Sequence, residues 1–166
     1  MSTPFCFEHV FRAPSVSTLV TAYFDPDHLA TQDKHAQLCD RVVVESHETE
    51  AMRKCTWRVA SQRQLPMIAR PFVSGGRLSF LETMSWNRAN DAVEMTIVPE
   101  ILGGRVQIAG TYELTQIGEN QIRRIYKGTI TAALKLVGGK IERGILEEFT
   151  ENMPAMAACT QGWLDR

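Results

Sequence analysis

From about Val137 to the C-terminus, Ile141, Ile145, Phe149, Met153, Met156, Cys159 and Trp163 recur in steps of three and four. That spacing is the signature of an α-helix with one apolar face. Lys140, Glu147, Glu148 and Glu151 fall off the stripe, so the opposite face is solvated. Pro154 removes one backbone donor, but the stripe continues past it in phase, which predicts a bent helix rather than two. A stripe of this length has to be buried against a comparably long apolar surface, and the rest of the chain must supply it.

The upstream sequence reads as strands that can do so. FCFEHVFRA places Phe5, Phe7, His9 and Phe11 on one face and Cys6, Glu8, Val10 and Arg12 on the other, the period of a strand. Ser15 is placed to cap a short helix through Phe24, and Asp25-Pro26 ends it. DHLATQDKHAQL predicts a second short, more polar helix or helical turn. CDRVVVESHETE and MRKCTWRVASQ return to strand character around a reversal at Glu50-Ala51. Four more strand candidates follow, separated by turns at Asn90-Asp91, Gly103-Gly104 and Gly118-Glu119-Asn120. Their in-phase sets are Leu78, Phe80, Glu82, Met84 and Trp86; Val93, Met95 and Ile97; Val106, Ile108, Gly110, Tyr112 and Leu114; and Ile122, Arg124, Tyr126, Gly128, Ile130 and Ala132. Such one-sided strands belong to an antiparallel sheet.

Composition narrows the function classes. The 166 residues suit one domain spanning 1–166, and 44% hydrophobic with 22% charged residues is ordinary for a folded chain. With 18 basic and 19 acidic side chains, no excess of positive charge exists to attract a phosphate backbone, so nucleic acid is not an expected partner. MSTPFCFEHVFRAP has neither a basic n-region nor a long apolar core, and no run approaches a membrane span; a cytoplasmic location without membrane insertion is the expectation. Cys6, Cys39, Cys55 and Cys159 lack C-x-x-C spacing, and His9, His28, His35 and His47 lack a short ligand spacing, so no metal and no cofactor are assigned.

LKLVGGKIERGI at 134–145 raises the one nucleotide-binding possibility, and spacing removes it. A phosphate loop needs G-x-x-x-x-G-K-[ST], whereas Ile141 follows Lys140 and no upstream glycine matches. The expectation is steric: Gly138, Gly139 and Gly144 would let the chain turn sharply and bring a long helix close across the sheet.

The order strand, two short helices, about six strands and one long helix gives an α+β fold. Four stretches, HVFRAPSVSTLV, LPMIARPFVSGGRLSF with Trp86, IAGTYEL, and LVGGKIERGI with a terminal Trp163-Leu164, make nearly the whole chain resemble the START-like (SRPBCC) superfamily, which includes the birch-pollen-allergen family and polyketide aromatase/cyclases. The resemblance is to an uncharacterised bacterial branch, whose members usually carry proline where this chain has Lys135. It implies a helix-grip fold, in which a curved antiparallel sheet of six to seven strands wraps the C-terminal helix and encloses an apolar cavity.

Under that architecture Trp57, Glu82, Met84, Trp86, Met95, Ile108, Tyr112, Arg124, Tyr126, Phe149, Met153 and Met156 become candidate cavity walls, each with the alternative of plain core packing. Glu82 and Arg124 are charges in phase with apolar neighbours. If both face inward they need each other, a ligand or water, unless a bulge turns one to solvent. Leu65, Pro66, Met67, Ile68 and Phe72 form an apolar connection that is either a lid over the cavity or an ordinary covering loop. No nucleophile elbow or triad spacing is present, so no catalytic residue is assigned. The expected function is binding of a hydrophobic or amphipathic small molecule, such as a lipid, isoprenoid or polyketide, by a monomer or homodimer. The alternatives are a cofactor-free aromatase/cyclase using Glu82, Arg124 and Tyr126, and a protein-interaction module with a collapsed cavity.

Overall fold

The structure is a computed structural model that describes residues 2–63, 70–72 and 77–166. In chain order the elements are β1 (Ser2–Arg12), α1 (Val16–Ala22), α2 (Pro26–Ala36), β2 (Leu38–Glu48), β3 (Met52–Ser61), β4 (Ser79–Asn87), β5 (Ala92–Pro99), β6 (Val106–Gly118), β7 (Gln121–Ala132) and α3 (Gly138–Leu164). Short 3-10 turns occur at Arg70–Phe72 and Glu100–Leu102. The strands form one antiparallel sheet in the order β1-β7-β6-β5-β4-β3-β2. β1 and β2 are separated in sequence only by the two short helices, yet they occupy opposite edges. The α1-α2 pair therefore crosses from one side of the sheet to the other, and α3 packs against both helices as well as β1 and β7.

Period-two reading gives the correct inner face of β1 and β4 to β7 because one side of each is covered, whereas β2 is exposed along most of its length. Phe5 faces Gly128 and Phe11 faces Ile122 across the β1–β7 pair, and Trp57, Met84, Val93, Ile108, Tyr112, Ile122, Tyr126 and Ile130 are all buried. The turns fall where side chains tolerate positive φ: Asp91 at 55° and Asn120 at 57°, with Gly103 and Gly104 at 56° and 77°. Ser15 caps α1 by accepting from the Thr18 amide at 3.2 Å. Asp25 accepts from the amides of Asp27 and His28, so it caps the start of α2 and does not merely end α1. α3 runs unbroken through Pro154.

The glycine reading needs correcting in part. The left-handed residue between β7 and α3 is Leu136, at φ 71° and fully exposed, whereas Gly138 and Gly139 are already the first residues of the helix. Gly138 is required by close approach, since a Cβ there would lie 2.2 Å from the Ala132 carbonyl oxygen. Gly139 and Gly144 have room for a side chain, so packing does not explain them.

One buried polar contact ties α3 to the sheet and another ties α2 to α3. Glu142 accepts from the Thr3 hydroxyl at 2.7 Å and the Ala132 amide at 2.9 Å, joining the start of α3 to both β1 and β7. His28 Nε2 lies 2.9 Å from the Thr160 hydroxyl, and the ring meets Tyr23 edge-on at 5.9 Å. Burial pushes His28 down from 6.5 to about 4, so the folded state holds it neutral. Below pH 6.5 the unfolded chain takes up a proton that the fold refuses. Stability is therefore expected to fall as pH drops from 6.5 towards 4, by up to about 3 kcal/mol, and this contribution levels off below that. Urea unfolding across this range should show the slope in the wild type and a shallower one in His28→Gln; equal slopes would refute the assignment.

Candidate functional site: a cavity beneath the C-terminal helix

Between α3 and the inner face of the sheet lies a cavity of about 270 Å³. Its floor comes from Phe80 and Glu82 on β4, Met95, Ile97 and Pro99 on β5, Val106, Ile108 and Tyr112 on β6, and Arg124 and Tyr126 on β7. Its roof is Ile145, Phe149, Asn152, Met153 and Met156 of α3, with Glu148 at the side. Asp33, Leu38 and Arg41 close one end beside Ser61 and Leu78. The apolar stripe of α3 is only half-buried at Ile145, Phe149, Met153 and Met156, although it faces the sheet. These side chains line a space and do not interdigitate fully with the strands.

Of the residues singled out from sequence, Glu82, Met95, Ile108, Tyr112, Arg124, Tyr126, Phe149, Met153 and Met156 line this cavity. Trp57, Met84 and Trp86 do not. They are buried in the core, where Trp57 packs against Phe24 at 6.2 Å and Trp86 donates to Asp91 Oδ1 at 3.1 Å. Leu65, Pro66, Met67 and Ile68 lie outside the described residues. Phe72 closes a 3-10 turn, and its side chain is likewise outside the description.

The floor is aromatic. Tyr112 and Tyr126 meet edge to face at 4.7 Å, Phe5 supports Tyr126 at 4.8 Å, and Phe149 approaches it from the helix at 6.4 Å. Both phenol oxygens lie near Met95 Sδ, at 3.5 and 3.7 Å. Burial pushes both phenols up, so they stay neutral.

The charges are arranged differently from the simplest expectation. Glu82 and Arg124 both face inward and are buried, but no ion pair joins them. Glu82 is held instead by Arg41, whose guanidinium lies 3.3 and 3.4 Å from its oxygens and grips Asp33 with two bonds of 2.7 Å. Burial works against the charge on Arg41, and the two carboxylates outweigh it, so Arg41 is held charged more firmly than usual. Arg41 was not found from sequence because β2 carries a bulge between Cys39 and Val42, with Asp40 at φ 55°, and its partner Asp33 comes from α2, which only the folded chain brings beside it. The bulge breaks the alternation and turns Arg41 inward. Arg124 donates to the Tyr23 hydroxyl at 2.7 Å and is flanked by the rings of Phe11, Tyr23 and Tyr112 at 4.9, 5.7 and 5.1 Å.

A larger depression of about 670 Å³ lies on the outward side of the sheet over the Gly110–Gly128 pair. Its walls are mainly Pro4, Cys6, Ala109, Thr111 and Thr129, with Glu94 and Lys127 as its charges. Among the described residues no buried charge and no helix residue lines it. The inner cavity is the better candidate because buried polar groups converge on it. Among the described residues no three His, Cys, Asp or Glu side chains are grouped to hold a metal, all four cysteines are free, and no helix is long and apolar enough to cross a membrane.

A seven-stranded antiparallel sheet wrapped around a long C-terminal helix, with two short helices after the first strand, is the helix-grip fold of the START-like (SRPBCC) superfamily. Solved structures agree over almost the full chain. The Zhui aromatase/cyclase from Streptomyces sp. R1128 is 11% identical with a TM-score of 0.68, covering 100% of this chain and 95% of that one. Ara h 8.0201 is 11% identical with a TM-score of 0.64, covering 99% and 98%. A START superfamily protein from Mycobacterium smegmatis is 8% identical with a TM-score of 0.61, covering 98% and 97%. At such identities the likeness is one of fold. The chain belongs to the family described as "Protein of unknown function (DUF2505)", whose model matches residues 7–164. Comparison with curated proteins finds no sequence match.

Proposed function

We propose that this domain binds a hydrophobic or amphipathic small molecule in the cavity between the sheet and α3. The observation that carries the reading is the half-covered stripe of Ile145, Phe149, Met153 and Met156 above a space of about 270 Å³. Empty apolar space beneath a helix costs stability, because lining atoms lose dispersion contacts. A ligand would restore them. At the low end of the sizes typical of ligand pockets, the cavity suits a small apolar body and not a long lipid with two tails. An open interior of this volume also speaks against a collapsed core serving only as a scaffold for protein contacts.

The test is to fill the space from within. Met153→Trp is expected to keep the folded structure and to abolish the response to ligand. A neutral amphiphile such as decanol, at about 100 times its Kd, should stabilise the wild type by about 2.7 kcal/mol and leave the variant unchanged. Stabilisation of both to the same extent would place binding elsewhere and overturn the reading.

A further inference from the structure

We propose that the cavity selects amphiphiles with a carboxylate head, and that Arg124 is the group that receives it. This rests on the cavity being a binding site, as proposed above. Arg124 is 3% exposed, lines the cavity, and carries a guanidinium charge that no protein environment removes. Among the described residues its single hydrogen bond goes to the neutral Tyr23 phenol, and its buried Nε has no acceptor. No carboxylate among the described residues forms an ion pair with it. His9, its cross-strand neighbour on β1, is pushed down by burial and by Arg124 itself, and brings no negative charge.

The other charges at the cavity are already matched. Arg41 is bonded to both Asp33 and Glu82, and Glu148 is paired with Arg63. Among the described residues Arg124 is therefore the unmatched cation in the cavity wall, stabilised only in part by the π faces of Phe11, Tyr23 and Tyr112. A buried charge in that position is strongly favoured to take an anion with good geometry, and the planar fork of a guanidinium fits the two oxygens of a carboxylate. A phosphate monoester would bring close to two negative charges to one cation, and one of them would be left uncompensated. The cavity volume of about 270 Å³ equals roughly nine water molecules, so the tail it accepts is a medium-length chain or a small ring system.

The experiment compares decanoate, decanol and decylamine by calorimetric titration below their aggregation thresholds, with wild type, Arg124→Met and Arg124→Lys. Decanoate should bind the wild type at least about tenfold more tightly than decanol, the range expected for a hydrogen-bonded charge. Arg124→Met should bring the two together by a loss of decanoate affinity larger than any change for decanol, and Arg124→Lys should retain part of the preference. If Arg124→Met does not fold, Arg124→Lys takes its place, and a decanoate preference as large as that of the wild type in Arg124→Lys overturns the role of Arg124. Equal binding of decanoate and decanol overturns the carboxylate site and leaves the cavity reading standing. Decylamine binding best also overturns it and points to Asp33 and Glu82. A preference for decanoate that survives in Arg124→Met overturns the role of Arg124. Binding of none of the three overturns this proposal together with the reading it rests on.

Discussion

Gly128→Ala is expected to lower stability by about 3–5 kcal/mol, a large part of what a single domain has. A Cβ at Gly128 would lie 2.1 Å from the Ala109 carbonyl oxygen and 2.6 Å from the Gly110 Cα, both backbone atoms of the paired strand β6. No rotamer change relieves such a contact; the strands would have to separate. The neighbouring Gly110 is crowded by the rings of Tyr126 at 2.7 Å and Phe5 at 3.0 Å, so this glycine pair lets aromatic residues of the cavity floor sit against the sheet. Gly144→Ala is the internal control. It lies inside α3 with nothing within 4 Å of the added carbon, and should gain up to about 1 kcal/mol from helix propensity. Urea denaturation of both variants checks the contrast, and a small loss at Gly128 would show that the sheet can open there.

Arg41→Met is expected to cost about 3 kcal/mol. Asp33 and Glu82 are almost wholly covered, and their partner is a single guanidinium. Removing it leaves two carboxylates near one another in a poorly solvated site, a worse state than losing the whole cluster. Glu82→Gln should therefore cost less in the Arg41→Met background than in the wild type, and this coupling is readable from a double-mutant cycle by urea unfolding. Additive costs would mean that Arg41 and Glu82 do not act on each other. The loss would also reach α2, because Asp33 is the contact through which that helix holds Arg41 on the edge strand β2.

The fold was readable from sequence wherever one face of an element is covered. The inward sets of β1 and β4 to β7, and the stripe of α3, follow from periods of two and about 3.6. Irregular backbone was not readable. The bulge that turns Arg41 inward and the left-handed Leu136 leave no trace in hydrophobic spacing, and the turn expected at the glycine pair falls two residues before it. The pattern also identifies an inner face without dividing core from cavity. Trp57, Met84 and Trp86 share a phase with cavity residues but are packed in the core, where no space remains. Glu82 and Arg124 were recognisable as charges out of place, yet their partners, Asp33, Arg41 and Tyr23, come from parts of the chain that only tertiary structure brings close.

The most direct test of the central claim is native mass spectrometry of the wild type and of Met153→Trp with a graded excess of decanoate. The account predicts one adduct per chain that saturates in the wild type and is missing from the filled variant. A wild-type protein that stays at its unliganded mass with decanoate and with decanol alike, or an adduct that persists in Met153→Trp, would contradict it.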